Sequence, residues 1–496
     1  MLLAGRQLMS DFEERLQKAM LRGVAGQPSA LVDAMWLDPA QLKGSEWQYR
    51  NAANQVAGLV LGYRDGRGVG SLDNRHVLTV AGSRGGKGVS LIVPNLLLYD
   101  GSVLAIDPKG ELARITARAR RQKGQKVVVL DPFSESGPGP SGRFNPLDEL
   151  DAQHPNVKDD AALIADALII GNDRDPHWTD SARILIKALI LYTLTLPEGE
   201  RHLISVWKLL AGTHPAVVRV STKAEVSKRA ALFRLMQNCT GVFDDAVAGA
   251  GFNFAQMADR ELASVFSTAL TQLEFLDSNA MAGVLQGSDL KLSELKSQKA
   301  TLYLCLPATR MGTHARWLRV IINLALVAFE RTKVATDIPA LIVLDEFAVL
   351  GHMKSIEVAA GLMAGFGVKL WVVLQDVTQI KRLYKESWET FIGNAGVTTA
   401  WSNSDKSTLD YLSEKLGQTG VRLQHANDIT PHQRLSGARG QREELRVQRL
   451  AAPHELEQML ERGKRRILVM AAGQPPVILQ RVLYYEDPHF AGLFDR

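Results

Sequence analysis

Cysteine is almost absent from this sequence: Cys239 and Cys305 are the only two among 496 residues. Two cysteines 66 positions apart supply neither the paired spacing of a zinc cluster nor a disulfide framework. The sequence therefore argues against a zinc site and against a disulfide-stapled secreted fold. It predicts a protein of the cytoplasm, where thiols stay reduced.

Long hydrophobic runs are missing as well. A membrane-spanning helix needs about 20 consecutive, largely apolar residues, whereas the best runs here, 184–196 and 320–329, are short or interrupted by a lysine. Near the N-terminus, Asp11, Glu13 and Glu14 stand where a signal sequence has its apolar centre. We expect neither a membrane span nor an export signal.

A large charge of one sign is also lacking. The sequence has 58 Lys and Arg against 53 Asp and Glu, which permits contact with nucleic acid or anionic lipid without requiring it. A hydrophobic content of 46% is typical of a soluble globular enzyme. The length exceeds that of one ordinary core, so we expect two lobes.

Apolar runs predict the organisation of the chain. From His76 onward, strand-like runs of Val, Leu and Ile occur in HVLTVAG, GSVLAIDPKGE and QKVVVLDPF, as is typical of strands buried on both faces of a parallel sheet. Residues 151–298 carry apolar residues three and four apart, which favours helices. Strand patterns return in ATLYLCLP, ALIVLDEF, KLWVVLQD, GVTTAW and RRILVMAAG.

This pattern predicts an α/β fold with a mostly parallel sheet and an inserted all-alpha domain. We expect a helical, soluble N-terminal arm at 1–57, which leads into a strand, AGLVLGY. A nucleotide-binding domain follows at 58–150 and 299–496, and the all-alpha domain occupies 151–298. The basic segment 422–449 is predicted to be a mobile loop.

The segment AGSRGGKGVS, residues 81–90, lies directly after the strand HVLTV. A phosphate-binding loop needs glycines that turn backbone N–H groups inward, a lysine for the phosphate oxygens and a helix behind the loop. The segment offers all three, although Ala81 and Gly88 replace the usual Gly and Ser/Thr. The alternative is a glycine turn with an exposed lysine. The predicted nucleotide-binding residues are Gly82, Ser83, Arg84, Gly85, Gly86, Lys87, Gly88 and Val89.

Two more strands end in polar residues. Asp345 and Glu346 close ALIVLDEF, where the first acid is suited to hold Mg²⁺ through water and the second to polarise an attacking water. Gln375 closes KLWVVLQD and is predicted to sense a γ-phosphate. The alternatives are acids that end a strand for solubility and a glutamine bonded to a loop. The predicted catalytic residues are Lys87, Glu346 and Gln375.

Together with FNPLD, DPHWTDSARILIKALI and VLYYEDPHF, these segments resemble the type IV coupling proteins of the TraG/TraD kind, and more distantly the FtsK and HerA DNA-pumping ATPases. The resemblance covers residues 59 to 490. It implies a RecA-like motor domain with an inserted all-alpha domain, assembled as a homo-hexamer that hydrolyses ATP with Mg²⁺. It also gives Lys87, Asp345, Glu346 and Gln375 the roles above, and makes Gly88 usual at its position.

The resemblance implies as partners DNA or a relaxase–DNA complex and the components of a type IV secretion channel. Relatives have N-terminal membrane helices where this sequence has a polar arm. We therefore expect a form that lacks the transmembrane region, is cytoplasmic or peripheral at the inner membrane, and docks on a membrane partner. Two alternatives stay open: a motor that recruits protein effectors, and an ATP-binding assembly or regulatory module that does not pump.

Three further assignments stay open in the sequence. The arginine finger has four candidates, Arg310, Arg316, Arg319 and Arg382, each of which also suits an ordinary salt bridge. The segment DPHW, 175–178, suits either substrate reception or a helix start with Trp178 in the core. DNA contact is predicted for the segment Arg434 to Arg449 or for a basic run: Arg114, Arg118, Arg120, Arg121, Lys123 and Lys126.

Overall fold

The computed structural model describes residues 34–44, 47–171, 176–241, 243–334, 336–426 and 441–495. Within these ranges the strands are β1 (Leu59–Arg64), β2 (Arg67–Ser71), β3 (His76–Ala81), β4 (Val103–Asp107), β5 (Lys126–Leu130), β6 (Ala300–Cys305), β7 (Ala340–Leu344), β8 (Val368–Leu374), β9 (Ala395–Trp401), β10 (Gln418–Ala426), β11 (Gln441–Arg449), β12 (Arg466–Ala471) and β13 (Val477–Gln480).

The α-helices within the same ranges are α1 (Val93–Leu98), α2 (Glu111–Gln122), α3 (Val157–Leu168), α4 (Pro176–Leu194), α5 (Leu203–Leu210), α6 (Pro215–Ala224), α7 (Lys228–Gln237), α8 (Asp244–Gln256), α9 (Asp259–Leu273), α10 (Asn279–Leu285), α11 (Glu294–Ser297), α12 (Met311–Arg331), α13 (Lys354–Leu362), α14 (Val377–Tyr384), α15 (Trp388–Gly393), α16 (Lys406–Leu416) and α17 (Pro453–Met459). Short 3-10 helices join several of them.

The chain divides into two compact units, of which the first comprises Met1–Pro94, Val373–Trp388 and Ala395–Glu486. Its strands pair in the order β2, β1, β13, β12, β9, β3. Strands β3 and β9 are parallel, with Ala81 opposite Trp401, and the other pairs are antiparallel. The parallel pair ends where the glycine-rich loop begins.

The second unit comprises Asn95–Val372, Glu389–Asn394 and Asp487–Arg496. It contains the strand order β8, β7, β4, β6, β5, and every neighbouring pair is parallel. Strands β4, β6, β7 and β8 are buried along their whole length. This burial explains their continuous apolar sequences, since both faces of such strands are covered.

The predicted helical insertion lies within the second unit. Between β5 and β6, the residues that the structure describes form helices α3 to α11 and no strand. Helix α12 follows β6 and packs on α3, and its side chains are buried along most of its length. A guanidinium–carboxylate pair joins the two helices, where Arg331 donates to both oxygens of Asp160 at 2.6 and 2.8 Å.

The strand predictions are confirmed where an apolar run carried them. Each of the nine quoted runs contains one strand of the structure: β1, β3 to β9 and β12. The short strands β2 and β13 were not predicted, because RGVGS is rich in glycine and VILQ has only three apolar residues. The predicted loop at 422–449 is corrected as well: its described parts belong to the hairpin of β10 and β11, in which Gln418 faces Arg449. Residues 427–440 lie outside the described part.

The predicted helical arm at 1–57 lies only partly within the described residues, which exclude 1–33 and 45–46. The described part contains a 3-10 helix, Pro39–Lys43, and extended chain rather than an α-helix. Trp36, Trp47 and Val56 are buried there. In the described part of the chain, every helix is too short or too polar to cross a membrane.

The basic run that begins on α2 and ends at Lys126 is largely occupied by contacts within the second unit. Arg120 is fully buried and donates to the carbonyls of Leu96, Tyr99 and Gly101 and to side chains. Ion pairs hold three others: Arg118 with Asp495 at 2.6 Å, Lys123 with Asp100 at 2.7 Å and Lys126 with Glu294 at 2.7 Å. The prediction that this run contacts DNA is therefore wrong for Arg120, whose charge serves the core of the second unit.

Candidate functional site

The glycine-rich loop is a hydrogen-bonded turn at the end of β3. The N–H of Gly82 donates to the carbonyl of Trp401 at 3.2 Å, and the N–H of Gly85 donates back to Gly82 at 2.8 Å. Ser90 closes the loop, since its N–H and its hydroxyl both donate to the carbonyl of Gly86, at 2.9 and 2.7 Å. One turn of π-helix, Gly88–Ile92, then leads directly into α1.

Two glycines of the loop are required by its geometry. A Cβ on Gly82 would lie 1.8 Å from the carbonyl oxygen of Ser402, a contact that no side chain can make. Gly86 has φ +78°, a left-handed conformation that costs other residues about 1 kcal/mol or more. Arg84 adopts φ +56° despite its side chain. The backbone of the loop is thus held in a curled form that suits the wrapping of a phosphate.

Behind the loop stand two side chains that the sequence motif does not include. The indole Nε1 of Trp401 donates to the carbonyl of Gly85 at 2.7 Å, and Nη1 of Arg481 donates to the same oxygen at 2.5 Å. Arg481 is only 7% exposed, and burial lowers the pKa of its guanidinium. Its charge lies 5.8 Å from the centre of the Trp401 ring. A buried positive charge therefore adjoins the loop and favours an anion there.

Gln375 lies in the first unit, next to the segment that supports the loop. Its carbonyl accepts from Nδ2 of Asn403 at 3.2 Å, and its N–H donates to Oε1 of Gln379 at 2.9 Å. Asn403 follows Trp401 and Ser402, the residues against which Gly82 packs. The structure thus places Gln375 and the glycine-rich loop on one supporting segment, 401–403.

Asp345 and Glu346 lie in the second unit, directly after β7. Strands β4 and β7 are parallel, with Ile106 opposite Leu344, so Asp107 ends β4 beside the point where Asp345 follows β7. Oδ1 of Asp345 accepts from the N–H of Glu346 at 3.2 Å. The adjacent strand ends therefore bring the two predicted acids together with a third, Asp107.

Asp107 was not assigned from the sequence, although SVLAID has the same form as LIVLDE. Its side chain is 1% exposed, and Oδ2 accepts from the N–H of Ala113 at 2.8 Å. Burial raises the pKa of Asp107 to about 6, the charge of Asp345 adds to the rise, and the N–H groups of α2 oppose it. Burial beside Asp107 also raises the pKa of the Cys305 thiol, whose Sγ lies 3.8 Å from Oδ2.

Glu346 has a strained backbone. Its φ of +57° and ψ of +43° place it in the left-handed region, which costs a residue with a side chain about 1 kcal/mol or more. A short 3-10 helix, Phe347–Leu350, follows at once, and both of its end residues are buried. We call residues 347–352 the acid turn, since they fix the chain that leaves Glu346.

The arginine-finger candidates differ in their surroundings. Arg319 is buried and donates to three backbone carbonyls, so the structure argues against its use as a finger. Arg316 is partly buried, and its Nε donates to Oε1 of Gln272 at 3.3 Å. Arg310 and Arg382 are exposed, and the guanidinium of Arg310 lies 5.5 Å from the ring centre of Phe133.

The DPHW segment begins a helix, as predicted, because α4 starts at Pro176. Asp175 lies outside the described residues. Trp178 is partly exposed rather than buried in the core, and it contacts the ring of His177 edge to face at 4.8 Å. Nε2 of His177 lies 2.9 Å from Oε1 of Glu261 on α9. Of the two alternatives for this segment, the one that packs Trp178 in the core is therefore wrong.

Each unit contains side chains or backbone groups with the chemistry of a nucleotide or Mg²⁺ ligand. In the first unit the curled loop suits phosphate oxygens, with the buried guanidinium of Arg481 behind it, and in the second unit Asp345 has a carboxylate of the kind that Mg²⁺ prefers. Among the described residues, no group of three or more His, Cys, Asp and Glu side chains is arranged to hold a metal ion. A single protein carboxylate suits Mg²⁺, which keeps most of its waters and otherwise binds phosphate oxygens.

Comparison with known proteins finds similar sequences and similar folds. A family model described as "Type IV secretory system Conjugative DNA transfer" matches residues 36–493. The conjugal transfer protein TraG of Rhizobium radiobacter is 27% identical over 426 residues, 84% of this chain and 63% of that protein. Protein VirD4 of Agrobacterium fabrum is 25% identical over 463 residues, 90% of this chain and 65% of that protein.

Solved structures of a bacterial conjugative coupling protein, TrwB, share the fold. TrwBdeltaN70 in complex with sulphate has a TM-score of 0.62 at 15% identity, over 92% of this chain and 96% of that chain. TrwB in complex with the non-hydrolysable ATP analogue ADPNP has a TM-score of 0.59 at 16% identity, with the same coverage. TrwB is also known in complex with ADP and Mg²⁺. These likenesses and the elements above confirm the predicted α/β fold with inserted helices.

Proposed function

Because this chain belongs to the type IV secretory system conjugative DNA transfer family, we propose that it is an ATP-hydrolysing coupling motor that moves DNA or a relaxase–DNA complex toward a type IV secretion channel. The observation that carries the proposal is the curled glycine-rich loop, whose Gly85 carbonyl is held by Trp401 and by the buried charge of Arg481. The chain spans about three fifths of the length of the curated relatives it matches, so activity, substrate and partners are proposals.

In this proposal the loop residues bind the phosphates of ATP. Residues Gly82 to Val89 direct backbone N–H groups at the phosphate oxygens, and Lys87 places its ammonium against the β- and γ-phosphates. Arg481 acts from behind the loop through the Gly85 carbonyl rather than on the ligand. Gln375, on the same supporting segment, reports whether the γ-phosphate is present.

The acids of the second unit carry out the proton chemistry. Mg²⁺ neutralises charge on the phosphate oxygens when it is bound, and Asp345 would hold it through water. Glu346 is the general base: a carboxylate oxygen accepts a proton from the attacking water. The left-handed backbone of Glu346 serves to aim its carboxylate. Asp107 lies buried at the adjacent strand end, beside Asp345.

The partners follow from the family. We propose that the chain contacts DNA phosphates and the secretion components, because its family is described by conjugative DNA transfer and a type IV secretory system. We also propose that it works as a homo-hexamer. Location in the cytoplasm and docking on a membrane partner at the inner membrane stay predictions. So does the division into an arm at 1–57, a motor domain at 58–150 and 299–496, and an all-alpha domain at 151–298.

Replacement of Lys87 by alanine tests the nucleotide site. We expect ATP turnover to fall by about 100-fold or more and the Kd for ATP to rise about tenfold, because the ammonium of Lys87 is lost from the phosphates. Phosphate release and fluorescent-nucleotide titration measure the two effects. Lys406→Ala is the matched control, since that lysine is exposed on α16 of the same unit.

Two results would contradict the proposal. Turnover in Lys87→Ala equal to that of the unchanged chain would place hydrolysis elsewhere. Tight ATP binding with no phosphate release at any ATP concentration would indicate the ATP-binding assembly or regulatory module instead of the motor.

A further inference from the structure

We propose that Arg319 is a positioning residue for Glu346, which holds the acid turn and ties it to helix α3 of the helical insertion. The proposal rests on the catalytic role given to Glu346 above. It replaces the sequence-based expectation that Arg319 is an arginine-finger candidate, and it concerns only residues of the second unit.

The contacts of Arg319 join two separate segments. From α12, Nη1 donates to the carbonyl of Leu350 at 2.6 Å and to that of His352 at 2.8 Å, both in the acid turn. Nε donates to the carbonyl of Ala167, in the last turn of α3, at 3.2 Å. Arg319 is only 6% exposed. A buried, planar guanidinium reaches these three acceptors at once, which the single ammonium of a lysine does not.

A second link lies one helical turn further along α12. Asn323 is 7% exposed, and its Nδ2 donates to the carbonyl of Leu163 on α3 at 3.4 Å. Its Oδ1 accepts from the hydroxyl of Ser355, just beyond the acid turn, at 2.5 Å. Residues four apart share one helix face, so α12 presents two parallel polar links between α3 and the chain that follows Glu346.

The acid turn requires such support. Glu346, directly before it, and Gly351, within it, have φ values of +57° and +67°. Two hydrogen bonds close the turn itself: the N–H of Val349 donates to Glu346 at 2.9 Å, and that of Gly351 donates to Ala348 at 3.2 Å. A strained backbone persists only where its surroundings fix it, and the bonds from Arg319 fix the Leu350 and His352 carbonyls.

The other end of the link is anchored within the insertion. Directly after α3, Ile170 exchanges two hydrogen bonds with Gln272 of α9, at 2.7 and 3.0 Å. The carbonyl of Ile169 accepts from Nε of Arg183 on α4 at 3.2 Å. The C-terminal end of α3, which Arg319 contacts, is thus fixed by two helices of the insertion. Because Arg319 bonds both α3 and the acid turn, a displacement of these helices would also displace the acid turn.

The experiment compares Arg319→Gln with Arg331→Gln in the full chain. Arg331 bonds α3 from the same helix, through Asp160, but does not contact the acid turn. In Arg319→Gln we expect amide exchange at Val349 and Gly351 to be about tenfold faster and kcat for ATP to fall about tenfold, with the Kd for ATP unchanged. Arg331→Gln should leave all three values within about twofold. Ser355→Ala is a milder change at the second link. It should make exchange at Val349 and Gly351 about threefold faster and lower kcat about threefold.

Unchanged exchange at Val349 and Gly351 in Arg319→Gln would overturn the proposal, as would equal changes in Arg331→Gln, which would indicate general loosening of α12. If Arg319→Gln does not fold, the test uses Ser355→Ala instead. Unchanged exchange of the Val349 and Gly351 amides in that variant would overturn the proposal. Absence of ATP hydrolysis in the unchanged chain would contradict the proposed function instead, and the exchange rates would still decide whether Arg319 holds the turn.

Discussion

Replacing Glu346 with glutamine is expected to lower the kcat for ATP hydrolysis by about 100-fold or more, the range of a lost general base. Glutamine keeps the size of the side chain but does not accept a proton from the attacking water. The Kd for ATP should stay within about threefold, because the proposed phosphate contacts belong to residues 82–89. Single-turnover phosphate release and nucleotide titration separate the two effects.

Glu330→Gln serves as the matched control, since Glu330 is an exposed acid on α12 of the same unit and its loss should leave kcat unchanged. A Glu346→Gln variant that hydrolyses ATP at the rate of the unchanged chain would show that another group accepts the proton. Asp107, which is buried beside Asp345 and has a pKa of about 6, would then be the first alternative to test.

Replacing Arg120 with methionine is expected to lower the free energy of unfolding by about 3 kcal/mol, because several buried acceptors lose a charged donor. Nε of Arg120 donates to Thr301 and Gln125 at 2.7 and 3.0 Å. Nη1 and Nη2 donate to the carbonyl of Leu96 in α1 and to those of Tyr99 and Gly101, between α1 and β4. Methionine fills similar space but makes none of these five hydrogen bonds. Urea unfolding measures the loss.

Arg121→Met is the control, because Arg121 is the exposed neighbour on the same helix and its change should cost less than about 0.5 kcal/mol. Equal stability of the Arg120 and Arg121 variants would contradict the structural role of Arg120. A folded Arg120→Met variant whose defect were confined to DNA affinity would return Arg120 to the DNA-contacting residues.

Much of the fold was predictable from the sequence because its central strands are continuous apolar runs. VLAID, ALIVL and VKLWVVL are buried over their whole length, so composition alone distinguishes them from amphipathic elements. The helical insertion was predictable for the complementary reason, since its apolar residues recur three and four apart. The chemistry-bearing residues of the site follow directly after such runs.

The remaining features depend on contacts between distant residues. Arg481 lies almost 400 positions after the Gly85 carbonyl that it holds, and no local pattern in the sequence signals that pairing. The basic run of α2 looked exposed at helical spacing, yet Arg120 points into a core of carbonyls. For the same reason, the sequence did not distinguish the buried Arg319 from the exposed arginine-finger candidates Arg310 and Arg382. The pattern of hydrophobic residues does not predict which distant residues a long polar side chain will bond.

The dependence of ATP turnover on DNA tests the central claim most directly. The measurement is steady-state phosphate release by the purified chain with Mg²⁺ and ATP, at increasing concentrations of single- or double-stranded DNA and at two salt concentrations. A coupling motor predicts that kcat rises severalfold with DNA, and that higher salt weakens the stimulation because phosphate contacts carry the binding. Turnover that stays the same at every DNA concentration would contradict a DNA-moving motor.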